Sequence, residues 1–446
     1  MGQATKWIDR SSFLLLAVAA GISICWGIAL ERGARLGVMG FPGIYFGTRC
    51  LVQGGDPYDL NQLRSIYSTA GFTDSSSAAL RQSVSLYVNL PTTFLFVAPF
   101  AWLPLAAAQT IWLILLVSSF LLAAFLVWRI AAVQAPSVAL LLMFIVLANC
   151  EIIFSGGNTA GLVVSLCVIA VWCLLRDRFI AAGVVCLAVS FAIKPHDVGL
   201  VWLYFLLAGR IQRMRALKAL ALSVVLALAA ALWVTHVAPH WLPELRSNLA
   251  EISGHGGINE PGPTSIGVNS PDMIIDLQTV VSIFVNEPNV YNPITYSVCG
   301  LLLFGWLVAV LRFSPSRQNA WFALVSVAAL SMLVTYHRSY DAKLLLLAVP
   351  ACAMLWAEGG PTAWIALLLS TAGVLSTSDI PLAILMRVTR NLYSPDANLA
   401  GKSFVSAVTR PAPLCLLAIA IFFLLVYVRR SRQNAENGNL PGTMLS

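Results

Sequence analysis

The sequence predicts an all-α, polytopic transmembrane protein, and three observations point there. Of 446 residues, 59% are hydrophobic and only 10% charged, and the mean hydropathy is +0.82. Soluble domains run near half apolar and about a quarter charged, and burial saturates as domains grow, so a water-soluble fold could not hide this much apolar surface. The apolar residues also come in unbroken runs of about 20, the length a spanning helix needs. Barrel strands would instead alternate polar and apolar over about 10 residues. Lipid offers the backbone no hydrogen-bond partner, so the runs must be helices.

The runs fall at 13–30, 91–106, 109–128, 137–154, 159–175, 179–194, 196–209, 217–237, 294–312, 320–336, 342–357, 362–378 and 412–428. The first follows Lys6 and Arg10 with no small-residue cleavage pattern, and is expected to be an uncleaved first helix. Basic residues cluster at run ends: Arg176 with Arg178, Arg210 with Arg213 and Arg215, Arg312 with Arg317, Arg429 with Arg430 and Arg432. The positive-inside rule places these ends, and both termini, in the cytoplasm. It places the loops 31–90, 238–293 and 379–411 outside. An even number of crossings then requires one run to be short, re-entrant or broken. Pro91, Pro99 and Pro104 mark 91–106. The expectation is one transmembrane domain over 1–428, with about twelve crossings plus that segment, in the cell membrane. A disordered cytoplasmic tail follows at 429–446, and one short helix is expected near 272–284 in the second loop.

The net charge of +8 sits at helix ends and is no nucleic-acid patch. The nine cysteines are scattered through apolar runs without metal-ligand or disulfide spacing, which suits core-filling thiols. No GxxxxGK[ST], GxGxxG or HExxH occurs, so nothing supports a soluble nucleotide-driven mechanism.

Ionisable groups at membrane depth are costly and mark functional sites. Four clusters qualify. Gly54-Gly55-Asp56-Pro57-Tyr58-Asp59, with Tyr45 and Arg49 upstream, offers a carboxylate to an acceptor hydroxyl or is a turn. Ser155-Gly156-Gly157-Asn158 permits close backbone approach and offers an amide, or is a helix–helix turn. Lys194-Pro195-His196-Asp197 breaks a helix at the membrane edge. There Lys194 is expected to meet a lipid phosphate, the other reading being a snorkelling anchor. Tyr336-His337-Arg338-Ser339-Tyr340-Asp341-Ala342-Lys343 supplies an arginine fork and an imidazole suited to phosphate, or an interfacial belt in which Asp341 pairs with Arg338 or Lys343.

Taken in this order, the motifs resemble glycosyltransferase family 87, polyprenol-phosphate-mannose-dependent α-mannosyltransferases of the GT-C superfamily. The resemblance runs over about residues 35–355. It rests on Tyr45…Arg49…Gly54-x-Asp56-Pro57-Tyr58, Gly156-x-Asn158, Arg176-x-Arg178…Ala182-Gly183…Lys194-Pro195 and Tyr336-His337-Arg338. It implies a membrane glycosyltransferase that moves a hexose, mannose by resemblance, from a polyprenyl-phosphate donor to a glycolipid or glycan acceptor outside, with inversion. It further implies Lys194, His337 and Arg338 on the donor phosphate, and Asp56 is the nearest carboxylate by sequence to stand in as catalytic base. Tyr45, Arg49, Tyr58 and Asn158 would contact substrate, with membrane lipids as surroundings and neither metal, cofactor nor nucleic acid called for. Two positions depart from the pattern. Gly40 stands where the family usually carries its catalytic Asp, and Gly157 stands where it carries Gln. A lipid-linked sugar flippase and a catalytically inactive membrane subunit of a glycan-assembly system are the alternative readings.

Overall fold

The computed structural model describes residues 10–33, 40–69, 84, 86–265, 273–313, 318–378, 381, 384, 388 and 398–438. Helices follow one another along the chain: α1 (Arg10–Gly33), α2 (Phe41–Val52), α3 (Leu60–Thr69), α4 (Thr92–Ala101), α5 (Leu105–Gln134), α6 (Pro136–Ala148), α7 (Glu151–Ser155), α8 (Thr159–Arg176), α9 (Ile180–Ile193) and α10 (Pro195–Leu207). The second half holds α11 (Arg210–Val237), α12 (Trp241–Ser253), α13 (Gln278–Phe284), α14 (Pro288–Arg312), α15 (Asn319–Val334), a 3₁₀ helix (Asp341–Leu347), α16 (Ala348–Glu358), α17 (Pro361–Ser376), α18 (Leu399–Thr409) and α19 (Pro411–Gly438). Among the described residues, seven stretches are long and apolar enough to cross a membrane. The shorter apolar helices α4, α9, α15 and α17 add to them, giving a multi-pass membrane protein. Proline sits in the first turn of α6, α10, α14 and α17, where its missing N–H costs no helical bond and its fixed φ suits the helix start.

Burial separates centre from rim. The spanning window of α8 is 89% buried and that of α11 only 22%, so α8 is walled in by protein while α11 presents apolar side chains to lipid. α15 is buried on every face from Asn319 to Leu333, as expected of a helix apolar all round. It packs on α19 and α10, and α8 packs on α9 and α5. Gly183 lets α9 close on α8, since a Cβ there would lie 2.7 Å from the Cys173 Cβ. Small residues permit this approach where lipid supplies no hydrophobic drive.

The run at 91–106 is a ten-residue helix, α4, about 15 Å long and half a crossing. Pro104 immediately precedes α5, which extends the expected run at 109–128 at both ends. The run at 342–357 opens as 3₁₀ and becomes α-helix only at Ala348. Several expectations need correction. The helix expected near 272–284 is confined to Gln278–Phe284. Residues 273–275 instead run alongside the segment after α15, bridging Ile274 to Arg338, and the chain turns at Asp276 and Leu277 into the helix. The tail from Arg429 is not disordered throughout, because α19 continues to Gly438. Much of 379–397, and all of 439–446, fall outside the described residues. The segment 31–90 carries α2 and α3, and 238–293 carries α12 and α13.

These two segments are tied together. Asn248 on α12 donates through Nδ2 to the carbonyls of Tyr58 (3.0 Å) and Tyr87 (3.2 Å). Tyr58 packs against Tyr87, Phe94 and Trp241 at ring separations of 5.4, 6.0 and 6.1 Å. Removing a buried donor strands its acceptors at about 1–3 kcal/mol. Asn248→Ala is therefore expected to lower the unfolding temperature of the purified protein in detergent. An unchanged transition would show that the two segments are held by other contacts.

Candidate functional site

The break between α9 and α10 sets the first half of the site. α9 ends at Ile193 and Pro195 opens α10, so Lys194 falls between two helices with φ −137° and ψ 82°. Its ammonium lies 2.7 Å from Asp341 Oδ1 and 3.0 Å from Asp197 Oδ2, and 5.5 Å from the centre of the Tyr340 ring. Asp197 and Asp341 are almost wholly buried. Asp341 also accepts the Arg338 N–H through Oδ2 at 2.9 Å. It therefore pairs with Lys194 across the fold rather than with Arg338 or Lys343, the partners expected from sequence. Lys343 Nζ donates to the Thr377 carbonyl at 3.2 Å.

The segment after α15 supplies the rest of the cluster. It is strapped by residues 273–277: Ile275 N donates to His337 O (2.9 Å), Ser339 N to Met273 O (3.1 Å) and Leu277 N to Leu333 O (3.2 Å). His337 is buried with Nε2 3.2 Å from Asp197 Oδ1. Arg338 donates from Nε to the Tyr336 hydroxyl (2.7 Å) and from Nη2 to Ile258 O (3.1 Å) and Asn259 Oδ1 (3.2 Å). Asp276, in the strap, accepts from Thr279 N, yet burial pushes its carboxyl up to about 7. Lys194, His337 and Arg338, far apart in sequence, thus meet in one buried network.

The second half of the site is a pair of carboxyl groups. Asp56 Oδ1 accepts Tyr58 N at 2.9 Å, and Asp56 N donates to Gln62 Oε1 at 2.8 Å, so the Asp-Pro-Tyr stretch is a turn. Tyr58 is fixed as well, its hydroxyl donating to Asn89 O at 2.8 Å. Glu244 on α12 stands beside the Asp56 carboxyl, and its Oε2 is buried without a donor. Burial first, then Asp56 and Asp59, push the Glu244 carboxyl up to about 7. Glu244 escapes motif reading, although Leu242, Leu245, Leu249 and Ile252 recur at helical spacing around it. A crevice of about 300 Å³ opens beside the start of α10 and the start of α12. Its apolar walls include Leu90, Phe191, Pro195, Val224 and Trp241.

The remaining expected contacts lie elsewhere. Tyr45 and Arg49 sit one turn apart on α2: Arg49 Nη1 donates to the Tyr45 hydroxyl (2.8 Å), which donates to Leu103 O (2.8 Å). Asn158 caps α8, its Oδ1 accepting Ala160 N at 2.9 Å. The two departures from the family pattern meet beside that cap. Gly40 has φ +113°, Phe41 N donates to Gly156 O at 2.8 Å, and a Cβ at Gly40 would lie 1.6 Å from Gly156 O. Gly157 has φ +57°, and a Cβ there would press to 3.0 Å from the Phe41 Cβ. Trp112 seals the contact, donating Nε1–H to Gly157 O (2.7 Å) and stacking on Phe41 at 5.1 Å.

Two outcomes follow. Gly40→Asp is expected not to restore a base but to disrupt the α2–α7 junction, read as lost folded yield and a lower unfolding temperature. A well-folded Gly40→Asp protein would show that this junction yields. Lys194→Met strands two buried carboxylates, which costs about 3–5 kcal/mol where an ion pair is broken from one side. Adding Asp341→Asn should recover part of that loss in thermal unfolding; no recovery would mean the pair is not the stabilising contact.

The model of glycosyltransferase family 87 matches residues 87–335. That span takes in Lys194, Asp197, Glu244 and the 273–277 strap, and leaves out Gly40, Asp56 and His337. No curated protein and no solved structure matches the chain. With the family match over more than half of the chain and an all-helical multi-pass architecture, this protein belongs to glycosyltransferase family 87, a family of membrane glycosyltransferases.

Proposed function

We propose that the chain transfers a hexose, mannose by family resemblance, from a polyprenyl-phosphate donor to a hydroxyl of a glycolipid or glycan on the outer face of the cell membrane, with inversion. The observation that carries this reading is the apolar crevice. It runs from Pro195, next to Lys194, to Trp241, three residues before Glu244 on α12. An isoprenoid chain suits its walls, the donor phosphate suits the cationic end, and the acceptor suits the carboxyl end.

The steps follow from these groups. The acceptor O–H gives its proton to a carboxylate of the Asp56–Glu244 pair. The acceptor oxygen attacks the anomeric carbon from the face opposite the phosphate. The C–O bond to phosphate breaks, its electron pair stays on the phosphate oxygen, and configuration inverts. Lys194 carries three N–H donors and two carboxylates engage it, so the third can meet the phosphate. Arg338 adds positive charge behind it, whereas His337 spends its Nδ1 proton on the Thr335 carbonyl. Preorganised cations of this kind stabilise the departing charge without reorganisation. Asp56 Oδ1 is held in its turn by Tyr58 N. Glu244 beside it titrates where a general base works best. The non-catalytic alternative rests on Gly40, whose contact with Gly156 leaves no room for the family's usual carboxylate.

Transfer from radiolabelled polyprenol-phosphate mannose into lipid extract, followed from pH 5 to 9, tests the reading. The rate should climb with pH through about 7 as Glu244 loses its proton, then level off. Glu244→Gln should remove that rise and cost about 10²–10⁴-fold. A folded wild type with no transfer at any pH would select the inactive-subunit reading. Movement of intact donor across vesicles without transfer would select the flippase.

A further inference from the structure

His196, Asp197 and His337 form a smaller constellation inside the basic cluster. Nε2 of His196 and Nε2 of His337 each lie 3.2 Å from Asp197 Oδ1. One ligand atom from each of the three residues lies within 4.8 Å of the others. The imidazoles stand edge to face with centroids 5.1 Å apart.

The tautomer of His337 is fixed by its other nitrogen. Nδ1 is 2.7 Å from the Thr335 carbonyl oxygen. A carbonyl only accepts, so Nδ1 carries the proton, and the neutral ring presents Nε2 as a lone pair. That lone pair faces a carboxylate oxygen, itself an acceptor. No aligned donor relieves the conflict: His337 Nε2 and Asp197 Oδ1 are buried without a hydrogen-bond partner, and the Lys194 ammonium meets Asp197 only on Oδ2. Buried polar atoms are rarely left so, and each such case calls for an explanation.

The separations suggest one. Two ligands held about 2.0–2.2 Å from a tetrahedral zinc ion stand roughly 3.3–3.5 Å apart, close to the observed 3.2 Å. A direct N–H···O bond would centre nearer about 2.9 Å and be aligned. The Thr335 carbonyl holds His337 as an outer-shell partner holds a metal-bound imidazole. Lys194 approaches Asp197 on its other oxygen, Oδ2, and leaves the Oδ1 side to the imidazoles. The His196 side chain is 37% exposed, which gives an ion a route in.

We propose that His196, Asp197 and His337 bind one divalent transition-metal ion of the zinc type, with the remaining coordination position open on the exposed side of His196. Two imidazoles and one carboxylate suit zinc or cobalt over magnesium or calcium. The competing account is a doubly protonated His337 paired with Asp197, which needs no ion. Binding involves neither donor nor acceptor, so its failure would leave the transferase reading standing.

The test uses the full chain in detergent, stripped with EDTA and then titrated with ZnCl₂ by calorimetry and with CoCl₂ by absorption. One ion per chain is expected, with the visible bands of a four-coordinate cobalt site. His196→Ala should weaken zinc at least tenfold. Because His196 is the exposed member, its removal should leave the EDTA-treated melting temperature unchanged, which separates ligand loss from misfolding. Saturating zinc should raise the melting temperature of wild type and not of His196→Ala, as mass action requires for a ligand of the folded state. Equal binding by the two proteins, or none by either, would overturn the proposal and assign the contact to an imidazolium–carboxylate pair.

Discussion

Lys194 and the two carboxylates it joins, Asp197 and Asp341, organise the centre of this molecule. A charge inside a low-dielectric interior is tolerated only when paired, and here one ammonium serves carboxylates that are 144 positions apart in sequence. The ion pair therefore fixes where the end of α9, the start of α10 and the segment after α15 stand relative to each other. Everything else in the basic half of the site inherits its position from that pairing. Asp341 receives the Arg338 backbone through its second oxygen, and Asp197 faces both imidazoles. The strap at 273–277 then closes over the same segment by main-chain bonds.

A second constraint acts at the start of α2. The first helix of the 31–90 segment, α2, starts against the turn before α8, and it does so without side chains. Gly40 and Gly156 meet backbone to backbone, with Phe41 N bonded to Gly156 O. Gly157, next in the chain, comes against Phe41, so Gly40 and Gly157, the two departures from the resemblance, lie at one junction. Seen singly, each reads as the loss of a functional group. Seen together, they are a closer approach of α2 to α7, sealed by Trp112 over Phe41. That approach removes the space a side chain would fill at Gly40, and a carboxyl pair, Asp56 with Glu244, stands elsewhere, between the 31–90 segment and α12.

Lipid-facing and protein-facing helices obey different rules here. α11 and α14 carry apolar residues mainly toward the bilayer, whereas α8 and α15 are enclosed. The enclosed helices carry the close contacts that small residues allow. The apolar crevice lies at the boundary between these classes, between enclosed α9–α10 and the lipid-facing α11. This suits a site that receives one substrate from the bilayer and another from water.

The class of fold was written in the sequence because lipid imposes a simple demand. A backbone without water must satisfy its own hydrogen bonds, and long apolar runs reveal where. The broken run at 91–106 was legible through its prolines, and Lys194, His337 and Arg338 stood out because charge is rare at membrane depth. Their meeting was not legible. Asp341 has two basic residues within three positions along the chain, and only the tertiary fold hands it to Lys194. Glu244 belongs to no motif, and α12 lies in a stretch crowded by Pro, Gly and Asn, so its place beside Asp56 depends on Asn248 reaching the Tyr58 carbonyl. Gly40 is the clearest division. The resemblance led the sequence to be read as lacking a carboxylate there; the fold decided that none can enter, because a Cβ at that backbone would occupy the space of the Gly156 carbonyl oxygen.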